Sequence, residues 1–186
     1  SRAWRPAVVA RLAHTLGRAM RVSVLPIAEE HADSFRECLD QVARELRYLA
    51  LLEAPPVEQV RSFVRENIEK GVPQVVALDG ATVVGWCDIL PGWHHTLRHC
   101  GSLGMGLLPP YRGRGIGEQL FRVCLGRAVA AGITRVELEA REDNTRALAL
   151  YKRLGLVTEG TKIHGMRVDG EYVNTVAMSL LVPSAA

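Results

Sequence analysis

The sequence predicts an α/β fold: a mixed sheet of about seven strands with a parallel central pair, flanked by about four helices. Three observations predict it. The hydrophobic period switches along the chain in the order β-α-α-β-β-β-α-β-α-β-β. In the middle, a strand, a glycine-rich turn and a long helical pattern lead into another apolar strand, a crossover that leaves its two strands parallel. Two Asp-Gly pairs, Asp79-Gly80 and Asp169-Gly170, join alternating segments as hairpins.

Each element has its own signal. Arg21 to Ala28 reads as the first strand, and a helix begins near Ala32 or Asp33. Phe35, Leu39, Val42, Ala43, Leu46 and Leu49 keep helical period to about Ala50. A break ends in Pro55-Pro56, and Val57 to Lys70 forms a second helix closed by Gly71. Gln74 to Leu78 and Thr82 to Leu90 make the first hairpin, and Pro91 to His99 is loop. Leu103, Met105 and Leu107 alternate with small residues until Pro109-Pro110 ends the strand, because proline donates no ladder hydrogen bond. Ile116, Leu120, Phe121, Cys124, Leu125, Ala128 and Val129 then recur three and four apart, up to Gly132. Ile133 to Ala140 is the next strand. Asn144 to Leu154 is a helix capped by Asp143 or Asn144 and closed by Gly155. Leu156 to Ile163 and Tyr172 to Leu181 are the last strand pair.

A length of 186 residues suits one domain with a full core, and 48% hydrophobic with 23% charged residues is ordinary for a soluble globular chain. No apolar run approaches the length of a membrane span. Cys38, Cys87, Cys100 and Cys124 are scattered without a C-x-x-C pair, which indicates neither zinc nor disulfides and points to a reducing cytoplasm. His94, His95 and His99 share a loop with no carboxylate at ligand spacing, so no metal is expected. Arg2, Arg5, Arg11 and Arg18 stand in an acid-free stretch, and removing them takes the net charge from +3 to −1. Residues 1–20 are therefore a basic extension, residues 21–183 are the domain, and neither nucleic acid nor a membrane is an expected partner.

The segment Arg112-Gly-Arg-Gly-Ile-Gly117 carries the chemistry. A glycine-rich turn between strand and helix presents backbone N–H groups and the positive end of a helix dipole to an anion. Arg112 and Arg114 add donors suited to phosphate. Gly117 is followed by Glu118 rather than Lys-Ser/Thr, which excludes a P-loop, and Gly113-x-Gly115-x-Gly117 lacks the dinucleotide spacing.

Arg112-x-x-Gly115-x-Gly117 resembles the acetyl-CoA loop, Arg/Gln-x-x-Gly-x-Gly/Ala, of the GNAT family of N-acetyltransferases. A second motif agrees: Asn144, Ala147, Tyr151 and Gly155 fall on the family pattern of Asn, Ala-x-x-x-Tyr-x-x-x-Gly-Phe, with Leu156 in place of Phe. The resemblance covers roughly residues 21–182, and the element order is that of the family's fold. It implies acetyl-CoA as co-substrate. Backbone groups of Met105, Gly106 and Leu107 would pair with its pantetheine arm, and the N–H groups of Gly113, Arg114, Gly115, Ile116, Gly117 and Glu118 would take the pyrophosphate. Asn144 would be a further cofactor contact, a role compatible with capping its helix.

Transfer to an amine also needs a proton for the departing thiolate and removal of a proton from the ammonium. The resemblance gives the first role to Tyr151, although the same residue shares an apolar stripe with Ala147 and Leu154. Arg135, Glu137, Glu139 and Arg141 share one face of their strand, either bordering a cleft or forming a solvated charge ladder. Glu139 stands where ribosomal-protein alanine acetyltransferases carry their base, and water is the alternative. Trp86 and Asp88 are candidates to line an acceptor pocket, Trp86 equally for core packing. The stretch from Glu159 to Asn174 resembles family members acting on free amino acids or small amines, which makes a small-molecule amine (amino acid or amine) the first acceptor class and a protein N-terminus the second. A non-catalytic acyl-CoA sensor using the same cradle is a third reading, and the final strand offers an edge for a homodimer.

Overall fold

The computed structural model describes residues 22–183. The basic extension at 1–20 and Arg21, at the expected start of the first strand, lie outside the described residues. The strands are β1 (Val22–Pro26), β2 (Gln74–Asp79), β3 (Thr82–Pro91), β4 (Cys100–Leu107), β5 (Arg135–Arg141), β6 (Val157–Val168) and β7 (Glu171–Leu181). They form one mixed sheet in the order β1-β2-β3-β4-β5-β7-β6. The helices are α1 (Ala32–Ala43), α2 (Val57–Glu69), α3 (Ile116–Ala130) and α4 (Thr145–Arg153). The predicted class and element order are those observed.

Alternate residues of the inner strands face opposite layers. Val75 and Ala77 pack with Leu120, Phe121 and Cys124 under α3, whereas Val76 and Leu78 pack with Phe35, Val42, Val60 and Val64 under α1 and α2. Trp86 belongs to the second layer, where Phe35 meets it edge-on at 5.7 Å between ring centres. β2 reads as an unbroken apolar run because both of its faces are covered.

The parallel pair is short. β4 and β5 are in register only at Cys100↔Arg135, Gly101↔Val136 and Ser102↔Glu137. Past that point β4 stays with β3 through Leu107↔Gly85, and β5 stays with β7 through Arg141↔Thr175. Each strand follows its antiparallel neighbour, and the twist of the sheet opens a wedge between them. The backbone of Leu103–Leu107 therefore meets the wedge instead of β5.

Three expectations about boundaries change. α1 stops at Ala43 rather than near Ala50. Asp40 accepts from the Ala54 N–H and the Arg44 guanidinium, and Leu46 takes a positive φ of 55°, so long-range contacts draw residues 44–56 into an irregular loop. The last hairpin is longer than its hydrophobic pattern, because β6 is exposed from Val157 to Gly165 and is held by the β7 ladder rather than by burial. Finally, β7 lies between β5 and β6, so the final strand has no edge to offer a second copy; that edge belongs to β6.

Candidate active site

The wedge opens into a cavity of about 490 Å³ that gathers most of the residues singled out by sequence. Met105, Gly106 and Leu107 form one wall. Arg112, Gly113, Gly115, Gly117 and Glu118 form the end, and Glu139, Asn144 and Tyr151 the opposite side. Ile116 turns its side chain into the core, so only its backbone meets the turn, and Arg114 lies exposed within the turn.

The end wall is shaped by backbone. Gly113 and Gly115 have φ of 74° and 79°, a left-handed geometry that costs a side chain strain. Gly115 is the N-cap of α3, and the first turn of that helix leaves the N–H groups of Ile116, Gly117 and Glu118 without intrahelical partners. A Cβ on Gly113 would stand 2.5 Å from Nη2 of Arg146, which brings a cation of α4 over the cradle. Sequence reasoning passed over Arg146; its only signal is its place two residues after the α4 cap.

Arg112 is differently employed than expected. Its Nε donates to the Leu107 carbonyl at 2.7 Å, its two terminal nitrogens donate to Glu45, and its guanidinium lies over Tyr48. Opposite, Arg141 donates to the Leu46 carbonyl at 3.0 Å and pairs with Asp143. Two arginines thus strap loop 44–56 across the wedge, and Tyr48, Leu49 and Ala50 become its roof.

Tyr151 is 9% exposed, on the second turn of α4, and burial pushes its phenol above the usual range. It remains a neutral O–H donor throughout the neutral range. Asn144 caps α4, its Oδ1 accepting from the Ala147 N–H at 3.2 Å while its side chain borders the cavity. Glu139 also borders the cavity, but its carboxylate accepts from the Lys162 ammonium and the Thr175 hydroxyl, which hold its pKa below the ordinary carboxylate value. A carboxylate so occupied is a poor proton acceptor at neutral pH. Its neighbours on the charged face are paired as well, Arg135 with Glu137 and Glu159, so this face is both a neutralised ladder and a cavity border.

A second cavity, of about 430 Å³, adjoins the first and shares Leu49, Ala50, Gly104 and Met105 with it. Phe35, Leu39, Val60, Phe63 and Trp86 make its walls apolar, and Asp88 is its charged residue. Among the described residues no group of His, Cys, Asp and Glu is arranged to hold a metal ion, and no helix is long and apolar enough to cross a membrane.

The chain matches the acetyltransferase (GNAT) family over residues 30–156 and belongs to it. It is thus an acetyl-CoA-dependent acetyltransferase by family. It is 35% identical over 120 residues to the N-alpha-acetyltransferase RimI of Mycobacterium tuberculosis, a match covering 62% of this chain and 71% of that one. It is 39% identical over 72 residues to the mycothiol acetyltransferase of Corynebacterium efficiens, covering 37% of this chain and only 24% of that longer protein. In fold it is similar to yncA of Salmonella typhimurium, solved with its cofactor acetyl-CoA, with a TM-score of 0.82 at 14% identity over 89% of this chain and 96% of that one.

Proposed function

We propose that the enzyme moves the acetyl group of acetyl-CoA to the primary amine of a small molecule by direct attack. The observation that carries this reading is the junction of the two cavities at Gly104 and Met105. One cavity has a backbone wall and an anion cradle suited to a phosphate-bearing arm; the other is apolar and of the size small ligands fill. A thioester laid along Met105–Leu107 would bring its carbonyl to the mouth of the second cavity. Gly113–Glu118 would take the pyrophosphate, with Arg146 nearer to it than Arg112 and with Asn144 at its side. Tyr151 would donate to the departing sulfur. Glu139 would act as a fixed anion anchoring Lys162 of β6, with the ammonium's proton accepted elsewhere.

Acetylation of protein N-termini is the second reading, favoured by the match to the Mycobacterium tuberculosis N-alpha-acetyltransferase. A direct competition decides between them: acetyl-CoA is supplied with a pool of small amines and amino acids together with a pool of short peptides of varied N-termini, and product masses are read. We expect acetylated small amines at a rate at least ~10-fold above any peptide, a difference of about 1.4 kcal/mol in transition-state binding. Acetylated peptides in excess would install the second reading.

A further inference from the structure

Asp88 interrupts the otherwise apolar run of β3, facing α1 and α2 from the floor of the second cavity. It is buried, 7% exposed. Across the sheet it sits in register between Gln74 of β2 and Gly104 of β4. The absence of a side chain on Gly104 makes the room for it, since a Cβ there would stand 2.7 Å from its Oδ1. The nearby Gly104 backbone offsets only part of what burial costs the carboxylate. The residues that line the cavity with it from α1 and α2 are uncharged, Phe35, Gln59 and Phe63 among them, and so is Gln74, its register partner on β2. The Gln74 amide is itself turned to Asn67 through its oxygen, and its buried Nε2 has no partner. Cys87, the adjacent titratable group in the chain, is kept protonated by burial.

A carboxylate in such a place is costly when ionised unless a cation comes to it. The cavity shares Gly104 and Met105 with the wedge where β4 leaves β5, so a cation brought to Asp88 lies beside the acetyl position described above. We propose that Asp88 receives the ammonium of the acceptor, takes its first proton, and confines acceptors to primary amines borne on a compact apolar body. This inference rests on the acetyl-transfer reading and names its acceptor class.

The protons balance. R–NH3⁺ and the Asp88 carboxylate become R–NH2 and a carboxylic acid, a neutral pair that a low-dielectric cavity favours over the ion pair. The amine nitrogen bonds to the thioester carbon. As the C–S bond breaks, sulfur takes the Tyr151 proton and the phenolate regains one from the nitrogen. Asp88 gives its proton to solvent when the amide leaves, so the sum is amide, free thiol and one proton. The apolar walls reject polar acceptors, whose groups would lose water without gaining partners. Desolvation has already raised the Asp88 pKa to about 7. Below that pH the carboxyl is protonated and cannot accept, so kcat/KM falls with acid, about tenfold per pH unit, and levels off above it.

The test compares phenethylamine and isopentylamine with ethanolamine and glycinamide, using wild-type protein, Asp88→Asn and Phe63→Ala from mildly acidic to mildly alkaline pH. Acetyl-CoA affinity is measured on each. We expect the apolar amines to exceed the polar ones by at least ~100-fold in kcat/KM. Asp88→Asn should bind acetyl-CoA within ~threefold of wild type, lose about 100-fold in kcat/KM, and lose the midpoint near neutrality. Phe63→Ala should cut the preference for apolar amines about tenfold and leave that midpoint in place. If Asp88→Asn keeps rate and midpoint, if the midpoint instead disappears in Glu139→Gln, or if polar amines serve equally well, the inference is overturned while acetyl transfer to small amines stands. If wild-type protein binds acetyl-CoA and acetylates no amine, both fall together.

Discussion

Replacing Tyr151 by Phe is expected to lower kcat by about 100-fold or more while acetyl-CoA affinity stays within ~threefold. The substitution removes one oxygen and leaves the ring on the α4 stripe that packs with Leu156 and Val176, so the fold is little disturbed. What disappears is the donor to the departing sulfur. Because burial holds the phenol protonated well beyond neutrality, the loss should be the same at every pH from mild acid to mild alkali, unlike the loss at Asp88. Stopped-flow or steady-state release of free thiol measures it. Unchanged turnover would remove Tyr151 from the chemistry and leave it as a core residue.

The second large effect is on binding. Gly115→Val is expected to weaken acetyl-CoA by at least ~100-fold, read by calorimetric titration, with a loss of stability of about 1–3 kcal/mol. At φ of 79° a β-branched residue is strained, and the relaxed backbone would re-aim the first-turn N–H groups of α3 away from the cradle. Gly126, in the middle of the same helix with open space around its Cβ position, provides the control, since Gly126→Ala should leave affinity unchanged and raise helix propensity. An unaltered affinity in Gly115→Val would mean that the pyrophosphate is held elsewhere.

Much of this site was legible in the sequence because it is written in local rules. Leu103–Gly117 states a strand, a stop and a glycine turn through alternation, proline and glycine, and the structure realises each. Asn144 to Gly155 states a capped helix through its cap and its apolar period. The crossover between β4 and β5 fixed their parallel sense, though how soon they part depends on β3 and β7 and has no local sign. The roof was not legible. Leu46 and Leu49 continue a helical period, and contacts far apart in the chain, Asp40–Ala54, Glu45–Arg112 and Arg141–Leu46, reveal that the helix ends before them. The role given to Arg112 shifted for the same reason: its type suits phosphate, but a carboxylate 67 residues away claims it. Glu139 was placed by resemblance, and its partners Lys162 and Thr175 come from the last two strands. Asp88 had a faint signal, a lone acid in an apolar strand, whose meaning emerges only from the register that sets it between Gln74 and Gly104.

The central claim is that acetyl-CoA lies in the wedge, paired to β4 and seated on the α3 turn. Amide hydrogen exchange with and without acetyl-CoA tests it most directly. Protection is predicted at the amides of Met105–Leu107 and Gly113–Glu118, by at least ~10-fold, with the exposed β6 strand unaffected. Saturating acetyl-CoA that leaves those two segments exchanging as before, or that protects the outer strands instead, would contradict the account.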